Sequence, residues 1–331
     1  MGFGSKEIGI DLGTANILIY VKGQGIVVNE PSVVAMDAET HKPLAVGAEA
    51  KEMLGKTPGR VQAIRPLKDG VIADFQVTEI LITHFINKLN LKGIFSRPTI
   101  LIGCPSNITQ IEKSAIKDVA ERCGAKKVFI EEEPKVAAIG AGLDISRPAG
   151  HMVIDIGGGT TDIAVLSLGD IVTSTSLKIA GDKMDEEIIK YIKDKYKLLI
   201  GDRTAESIKI EIGTAIPGGR DNMPMEVRGR DLVTGLPHTI EITSDETELA
   251  LRENCATIVN ATKSVLEKTP PELAADIVSR GIFLTGGGAL LHGLDTLLEN
   301  ELNVPVFVAE NALDCVAEGC GVMLNNLHYV K

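Results

Sequence analysis

Asp155-Ile156-Gly157-Gly158-Gly159-Thr160-Thr161-Asp162 is the stretch on which the reading of this chain turns. It follows an apolar run, Met152-Val153-Ile154, that reads as a buried strand, and it runs into Ile163-Ala164-Val165-Leu166, which reads as a second. A strand, a glycine-rich turn and a strand make a hairpin whose backbone N–H groups can face an anion. Glycine lets the main chain approach where a side chain would block it. Asp155 stands where a carboxylate can hold a hydrated divalent cation. The stretch therefore reads as half of a clamp for the phosphates of Mg-ATP.

The other half lies near the start of the chain. Residues 6–13 read as a strand ending in Asp11-Leu12-Gly13-Thr14, residues 16–21 return as a strand, and Gly23 and Gly25 turn the chain into Ile26-Val27-Val28. Ile10-Asp11-Leu12-Gly13 corresponds to Ile154-Asp155-Ile156-Gly157, and the next turn falls at Gly23 in one copy and Gly169 in the other. Such a repeat implies two related lobes sharing one ligand. A lone Asp-x-Gly is more often a plain turn; two copies with matching flanks, one with a glycine triplet, favour phosphate binding.

The bulk properties are those of a globular protein: 331 residues, 44% hydrophobic and 24% charged. That length suits two lobes with smaller subdivisions. Trp is absent and aromatics are 3%, so the core must be aliphatic. A net charge of -11 argues against a nucleic-acid partner, and any membrane contact must be local. Cys104, Cys123, Cys255, Cys315 and Cys320 are odd in number and form no CxxC, which points to reduced thiols. The first residues lack the apolar core of a signal peptide and no run of about 18 apolar residues occurs, so the expectation is a cytoplasmic protein.

Between the two hairpins, residues 32–65 carry short strand signals and then Gly55, Pro58 and Gly59, as a small insertion would. Val77, Ile80, Leu81, Phe85 and Leu89 fall on one face of a helix over 77–89. Strand 99–103, helix 109–123 and strand 127–131 form a right-handed parallel unit. Glu131-Glu132-Glu133-Pro134 ends that strand. A run of glutamates is usually a solvated turn, but a carboxylate at a strand end beside a helix start is where sites form in open sheets. Further on, Asp182 reads as the cap of a helix through Met184, Ile188 and Ile192, a second helix covers 203–213, and Ser244 reads as the cap of a long helix to about residue 268. Ile282-Phe283-Leu284-Thr285 reads as a strand entering Gly286-Gly287-Gly288 and a helix over 289–298, so that this backbone can approach a nucleoside or α-phosphate closely.

Taken together, these motifs resemble the actin–Hsp70–sugar kinase superfamily, and the chain as a whole is similar to the MreB family of bacterial actin homologues. The matching segments include 9–16 (Gly9-Ile10-Asp11-Leu12-Gly13-Thr14-Ala15-Asn16), 29–34, 65–74, 201–206, 228–237 and 284–291, spread over nearly the whole chain. The resemblance implies an α/β, actin-like ATPase fold: two duplicated ribonuclease-H-like lobes with the nucleotide in the cleft between them, plus two small insertions. Lobe I would take residues 1–145 and 313–331 with an insertion near 33–65, and lobe II residues 146–312 with an insertion near 181–243.

It also implies roles. Asp11 and Asp155 would organise Mg²⁺ through its waters. Gly13, Thr14, Ala15, Asn16 and the backbone of Gly157, Gly158, Gly159 and Thr160 would hold phosphates. Glu133 would orient the attacking water with help from Thr160 and Asp155. Glu206 and Lys209 would meet ribose and base, with Gly286, Gly287 and Gly288 supporting the adenosine. Such hydrolysis is mainly positioning and charge stabilisation, so it can be slow. This chain departs from the family pattern at Glu131, where an apolar residue is usual, and at Lys135-Val136 after the proline. The departures bear on rate.

Ile94-Phe95, between Lys92 and Arg97, aligns with a loop that the family inserts into membranes; read alone it is equally an ordinary buried turn. Two such side chains supply about 1.5–3 kcal/mol each, so anchoring would depend on a filament repeating them. The expected partners are further copies of the chain in antiparallel double protofilaments, the inner face of the cytoplasmic membrane, and the elongation-complex proteins MreC, MreD and RodZ. The expected function is a slow ATPase whose filaments organise lateral wall synthesis and rod shape. A sugar- or acetate-type kinase of the same superfamily is the alternative.

Overall fold

A computed structural model describes residues 6–89, 97–106 and 108–326. Strands β1 (Glu7–Leu12), β2 (Asn16–Val21) and β3 (Gly25–Pro31) form an antiparallel meander. A small unit follows, made of β4 (Val34–Asp37), β5 (Pro43–Val46), helix α1 (Ala48–Met53) and β6 (Val61–Ile64). It has its own sheet, in the order β5-β4-β6, and its own apolar kernel of Val33, Ala35, Ala45 and Ala50. A minimal hairpin, β7 (Leu67–Lys68) and β8 (Val71–Ile72), leads into α2 (Phe75–Lys88). Asp74 starts that helix by accepting the Val77 amide at 3.0 Å. Next come β9 (Thr99–Cys104), α3 (Gln110–Arg122) and β10 (Lys127–Glu132), with α3 opened by a reciprocal Thr109–Glu112 capping box. β9 pairs parallel to β1, and β10 parallel to β9, giving a first sheet in the order β10-β9-β1-β2-β3.

Helix α4 (Glu133–Gly140) carries the chain to β11 (His151–Ile156), β12 (Thr161–Ser167) and β13 (Asp170–Leu177), a second antiparallel meander. Then come α5 (Gly181–Tyr196), β14 (Leu198–Leu199), α6 (Asp202–Ile212), the hairpin β15 (Pro224–Asp231) and β16 (Pro237–Thr243), α7 (Ser244–Lys268) and α8 (Pro271–Arg280). β17 (Ile282–Thr285), a single 3₁₀ turn over Gly287–Leu290, α9 (Leu294–Leu302), β18 (Val306–Val308) and α10 (Cys315–Asn325) complete the described chain. The second sheet runs β13-β12-β11-β17-β18. That is the topology of the first sheet repeated: a meander whose opening strand is extended by two parallel neighbours. The third sheet, β14-β15-β16, belongs to a second small unit.

β11 and β12 are buried along their whole length, which is why their sequences are apolar runs without alternation. Helices α4 and α10 lie against the first sheet, and α4 also packs on β11 and β12. They cross at glycines: a Cβ placed at Gly140 would stand 1.8 Å from the Cys315 carbonyl oxygen, and one at Gly319 2.0 Å from that of Val136. The two helices therefore meet backbone to backbone.

Three local expectations are corrected. The helix expected over 289–298 is a 3₁₀ turn followed by α9, because Gly293 adopts a φ of 74° and the His292 carbonyl is taken by the Ala215 amide at 2.8 Å. Asp182 does not cap α5; Ala180 occupies that position and Asp182 lies in the first turn. The long helix is capped by Thr243, whose amide donates to Glu246 at 3.0 Å, one residue before Ser244. Helix α8, with Pro271 in its first turn, had no sequence expectation. Ile94 and Phe95 lie outside the described residues.

Candidate functional site

The turns that follow β1 and β11 face each other. A Cβ at Gly158 would come within 2.8 Å of the Ala15 Cβ, and one at Gly159 within 2.5 Å of the Thr14 hydroxyl and 2.9 Å of the Gly70 amide nitrogen. Only a main chain without side chains fits between the lobes here. The β11–β12 turn is closed by the Gly157 amide donating to the Thr160 carbonyl at 2.9 Å. Its outer carbonyls are held by the start of α5: Gly181 N–H donates to Gly157 at 3.1 Å and Asp182 N–H to Gly158 at 2.8 Å. The opposite turn is fastened by Ser32, whose hydroxyl donates to the Gly13 carbonyl at 2.7 Å, and by Thr14, whose hydroxyl accepts the Gly70 amide at 3.2 Å.

Below the turns lies a group of carboxylates. Asp11 is half-buried, and its carboxyl is pushed up to about 8 by burial and then by Asp155 and Asp314. Asp155 is buried; burial pushes it up to about 6, against a hydrogen bond from the Thr285 hydroxyl at 2.7 Å. Asp162 is fully buried and raised by that burial, although the Ser106 amide donates to its Oδ1 at 2.9 Å. Glu133, at the start of α4, is held well above the usual carboxylate range by burial and by Asp162, Asp11 and Asp155. Groups that resist ionising beside one another are ready to take up a cation.

Among the described residues, no three His, Cys, Asp or Glu side chains stand close enough to enclose a metal ion by themselves. Asp162 stands among the hydroxyls of Ser176, Thr160 and Ser106, which favour its charged form against burial. Mutually repelling carboxylates at Asp11, Asp155 and Glu133 fit a hydrated cation that would take its remaining ligands from phosphate and water.

The other expected residues separate into two groups. Lys209 reaches into the site wall: its Nζ is 2.9 Å from Asp185 and donates to the Gly181 carbonyl at 2.8 Å, tying α6 to the start of α5. Burial pushes Asp185 up to about 6 against the pull of Lys209. Glu206 turns to the cleft mouth and pairs with Lys51 of α1 at 2.7 Å. In the third glycine run, Gly286 and Gly288 are pressed onto the end of β11, where Cβ atoms would stand 2.4 and 2.2 Å from Ile156 atoms, and a Cβ at Gly287 would stand 3.0 Å from Leu313 Cδ2. Thr160 meets Gly70 across the lobes.

Several residues of the site were not anticipated as such: Ser32, Gly70, Ser106, Asp162, Thr285 and Asp314. Asp162 closes the opening stretch, and a second acidic residue at the far end of a phosphate turn is a usable signal. Ser106 and Asp314 have no local pattern that announces them.

Two sheets of repeated topology, facing across paired Asp-x-Gly turns, make this an actin-like fold. The chain belongs to the MreB/Mbl family, whose model, described as MreB/Mbl protein, matches residues 5–331. It is 65% identical over 323 residues to the cell shape-determining protein Mbl of Bacillus cereus, covering 98% of this chain and 97% of that one. It is 53% identical over 329 residues to the cell shape-determining protein MreB of Escherichia coli K12, covering 98% and 94%. Among solved structures, MreB5 of Spiroplasma citri bound to ADP superposes with a TM-score of 0.93 at 42% identity, covering 98% of this chain and 97% of that one. These matches give the kinase alternative no support.

Proposed function

We propose that this chain binds and slowly hydrolyses ATP and assembles into membrane-associated filaments that organise lateral wall synthesis and rod shape. The observation that carries the nucleotide reading is the apposition of the two glycine-bearing turns over Asp11, Asp155, Asp162 and Glu133. The ADP bound in the Spiroplasma relative supports it, and the cell shape-determining role of the Mbl and MreB relatives supports the cellular part.

In this reading the backbone of Gly157 to Thr160 and the turn at Gly13 to Asn16 grip the phosphates from opposite lobes, so that binding draws the lobes together. Asp11 and Asp155 are the residues that would hold a hydrated Mg²⁺, and that cation would supply charge neutralisation at the transferred phosphoryl group. Glu133, in its ionised form, accepts a hydrogen bond from the attacking water and aligns it. Water oxygen bonds to the γ-phosphorus as the bond to the bridging oxygen breaks, leaving ADP and phosphate. Thr160 and Asp162 keep the turn in register.

Self-assembly, the cytoplasmic face of the membrane, and MreC, MreD and RodZ complete the proposal. Among the described residues no helix is long and apolar enough to cross a membrane, so attachment would be peripheral, through Ile94 and Phe95. The central test pairs two variants. Glu133→Ala should keep ATP binding and slow phosphate release; Asp155→Ala should lose Mg-ATP binding and nucleotide-dependent light scattering together. Loss of binding in the first, or unaltered binding in the second, would overturn the assignment. Ile94→Ser/Phe95→Ser should fail to co-sediment with liposomes.

A further inference from the structure

Glu131 and Lys135, the charged residues on either side of Glu133 and Pro134, meet in space. Glu131 is the penultimate residue of β10 and stands opposite Gly103 of β9. A Cβ at Gly103 would stand 3.4 Å from Glu133 Cγ and 2.8 Å from Val316, so this face of the sheet lies under α4 and α10. Glu131 shares the face, because it is paired with Gly103 in register. Lys135, in the first turn of α4, reaches back to it: Nζ to Oε2 is 3.1 Å, and the side chains are only 4% and 10% exposed.

We infer that Glu131 and Lys135 form a positioning pair that fixes Glu133, which lies between them in the chain. The inference rests on the role given to Glu133 above. Desolvating two charges offsets most of their attraction, so two apolar side chains of similar volume would serve stability as well. What the ion pair adds is a defined length and direction between the last residues of the strand and the first turn of the helix. Glu133 is the first residue of α4, Pro134 restricts the next φ, and the Lys135–Glu131 link closes the span around both. The backbone that carries Glu133 is thereby held at both ends. Glu133 itself faces Asp162, Asp11 and Asp155, so it needs such support to stay turned toward groups that repel it. A displacement of about 1 Å at a reacting group can cost about 10²-fold in rate.

The test is the double apolar variant Glu131→Leu/Lys135→Met, which leaves no unpaired buried charge, studied beside wild type. ATP affinity and KM should remain within about twofold while kcat falls about tenfold or more, and a crystal structure of the variant should show the Glu133 carboxylate moved. Wild-type kcat, or a lower kcat with Glu133 unmoved, would overturn the inference. If wild type binds ATP without hydrolysing it, the ATPase reading fails on its own, and the position of Glu133 in the variant then decides the pair: displaced supports it, unmoved refutes it.

Discussion

Lys51 Nζ stands 2.7 Å from Glu206 Oε2, joining α1 to α6 across the mouth of the cleft. Arg65 and Asp182 add a second link at 3.4 Å, and Arg203 donates to the Glu52 carbonyl at 3.3 Å. The mouth is thus closed by charge. Lys51 and Glu206 are each 29% exposed, which limits such a pair to about 0.2–1 kcal/mol. Lys51→Ala should therefore speed release of a fluorescent ATP analogue by about twofold to fivefold at low salt. At high salt the variant and wild type should converge, because screening weakens the link in wild type. Equal release rates at low salt would show that the link is open in the nucleotide complex.

Asp11 makes the stability of the ligand-free protein depend on pH. Its carboxyl is pushed up to about 8 in the folded protein, whereas an unfolded aspartate releases its proton at about 3.9. Between these values the folded, ligand-free protein retains a proton that the unfolded chain has lost, so stability falls as pH rises through that window. Asp11→Asn removes the effect. Without nucleotide the variant should melt above wild type at pH 8, by about 1–2 °C for each kcal/mol relieved in a chain of this length, and the gap should narrow toward pH 4. Mg-ATP should raise the melting temperature of wild type and leave the variant unmoved. A variant that melts below wild type at pH 8 would contradict the repulsion argued for the site.

Gly159 and Gly23 separate two uses of glycine. A methyl at Gly159 meets the Thr14 hydroxyl at 2.5 Å and the Gly70 amide at 2.9 Å, both across the cleft. Gly159→Ala should leave each lobe folded and weaken ATP binding more than about tenfold, since the turns can no longer close together. Gly23 has a φ of 80° and open space around it. Gly23→Ala should cost about 1–2 kcal/mol of stability and leave ATP affinity alone. Calorimetry of both variants checks the contrast; equal affinities would place the nucleotide elsewhere.

What the sequence disclosed follows from the physics of each part. β11 and β12 are covered on both sides, so their burial is written as unbroken apolar runs, and the repeated topology was legible in the match of Asp11 to Asp155. The site's far neighbours were not. Ser106 and Asp162 lie 56 residues apart and are joined by one hydrogen bond, and no local period encodes such a contact. Glu131 and Lys135 were visible in the sequence only as two separate charges, and the return of α4 over β10 makes them a pair. The helix expected after Gly288 failed because His292 spends its carbonyl on Ala215, a tertiary bond competing with a helical one.

The crossing of α4 and α10 brings two backbones into direct contact. The chain passes from the first sheet to the second through α4 and returns through α10, which packs on β1, β2 and β9. Both passages meet at Gly140 and Gly319, so any relative rotation of the lobes must turn about this contact. A Cβ at Gly319 would stand 2.0 Å from the Val136 carbonyl oxygen, a backbone atom that cannot rotate aside. Gly319→Ala should therefore destabilise by about 1–3 kcal/mol or more through overpacking, read as a lower urea midpoint. Because α4 also begins with Glu133, ATP turnover should fall further than ATP binding in whatever fraction folds. Gly142→Ala is the comparison: it is close in sequence, has a φ of 81° and no atom within 4 Å, so it strains its own backbone without parting the helices. It should lose stability with turnover per folded molecule unchanged. If Gly319→Ala kept the wild-type midpoint and turnover, the two helices would have slack between them, and the lobes would have to hinge elsewhere.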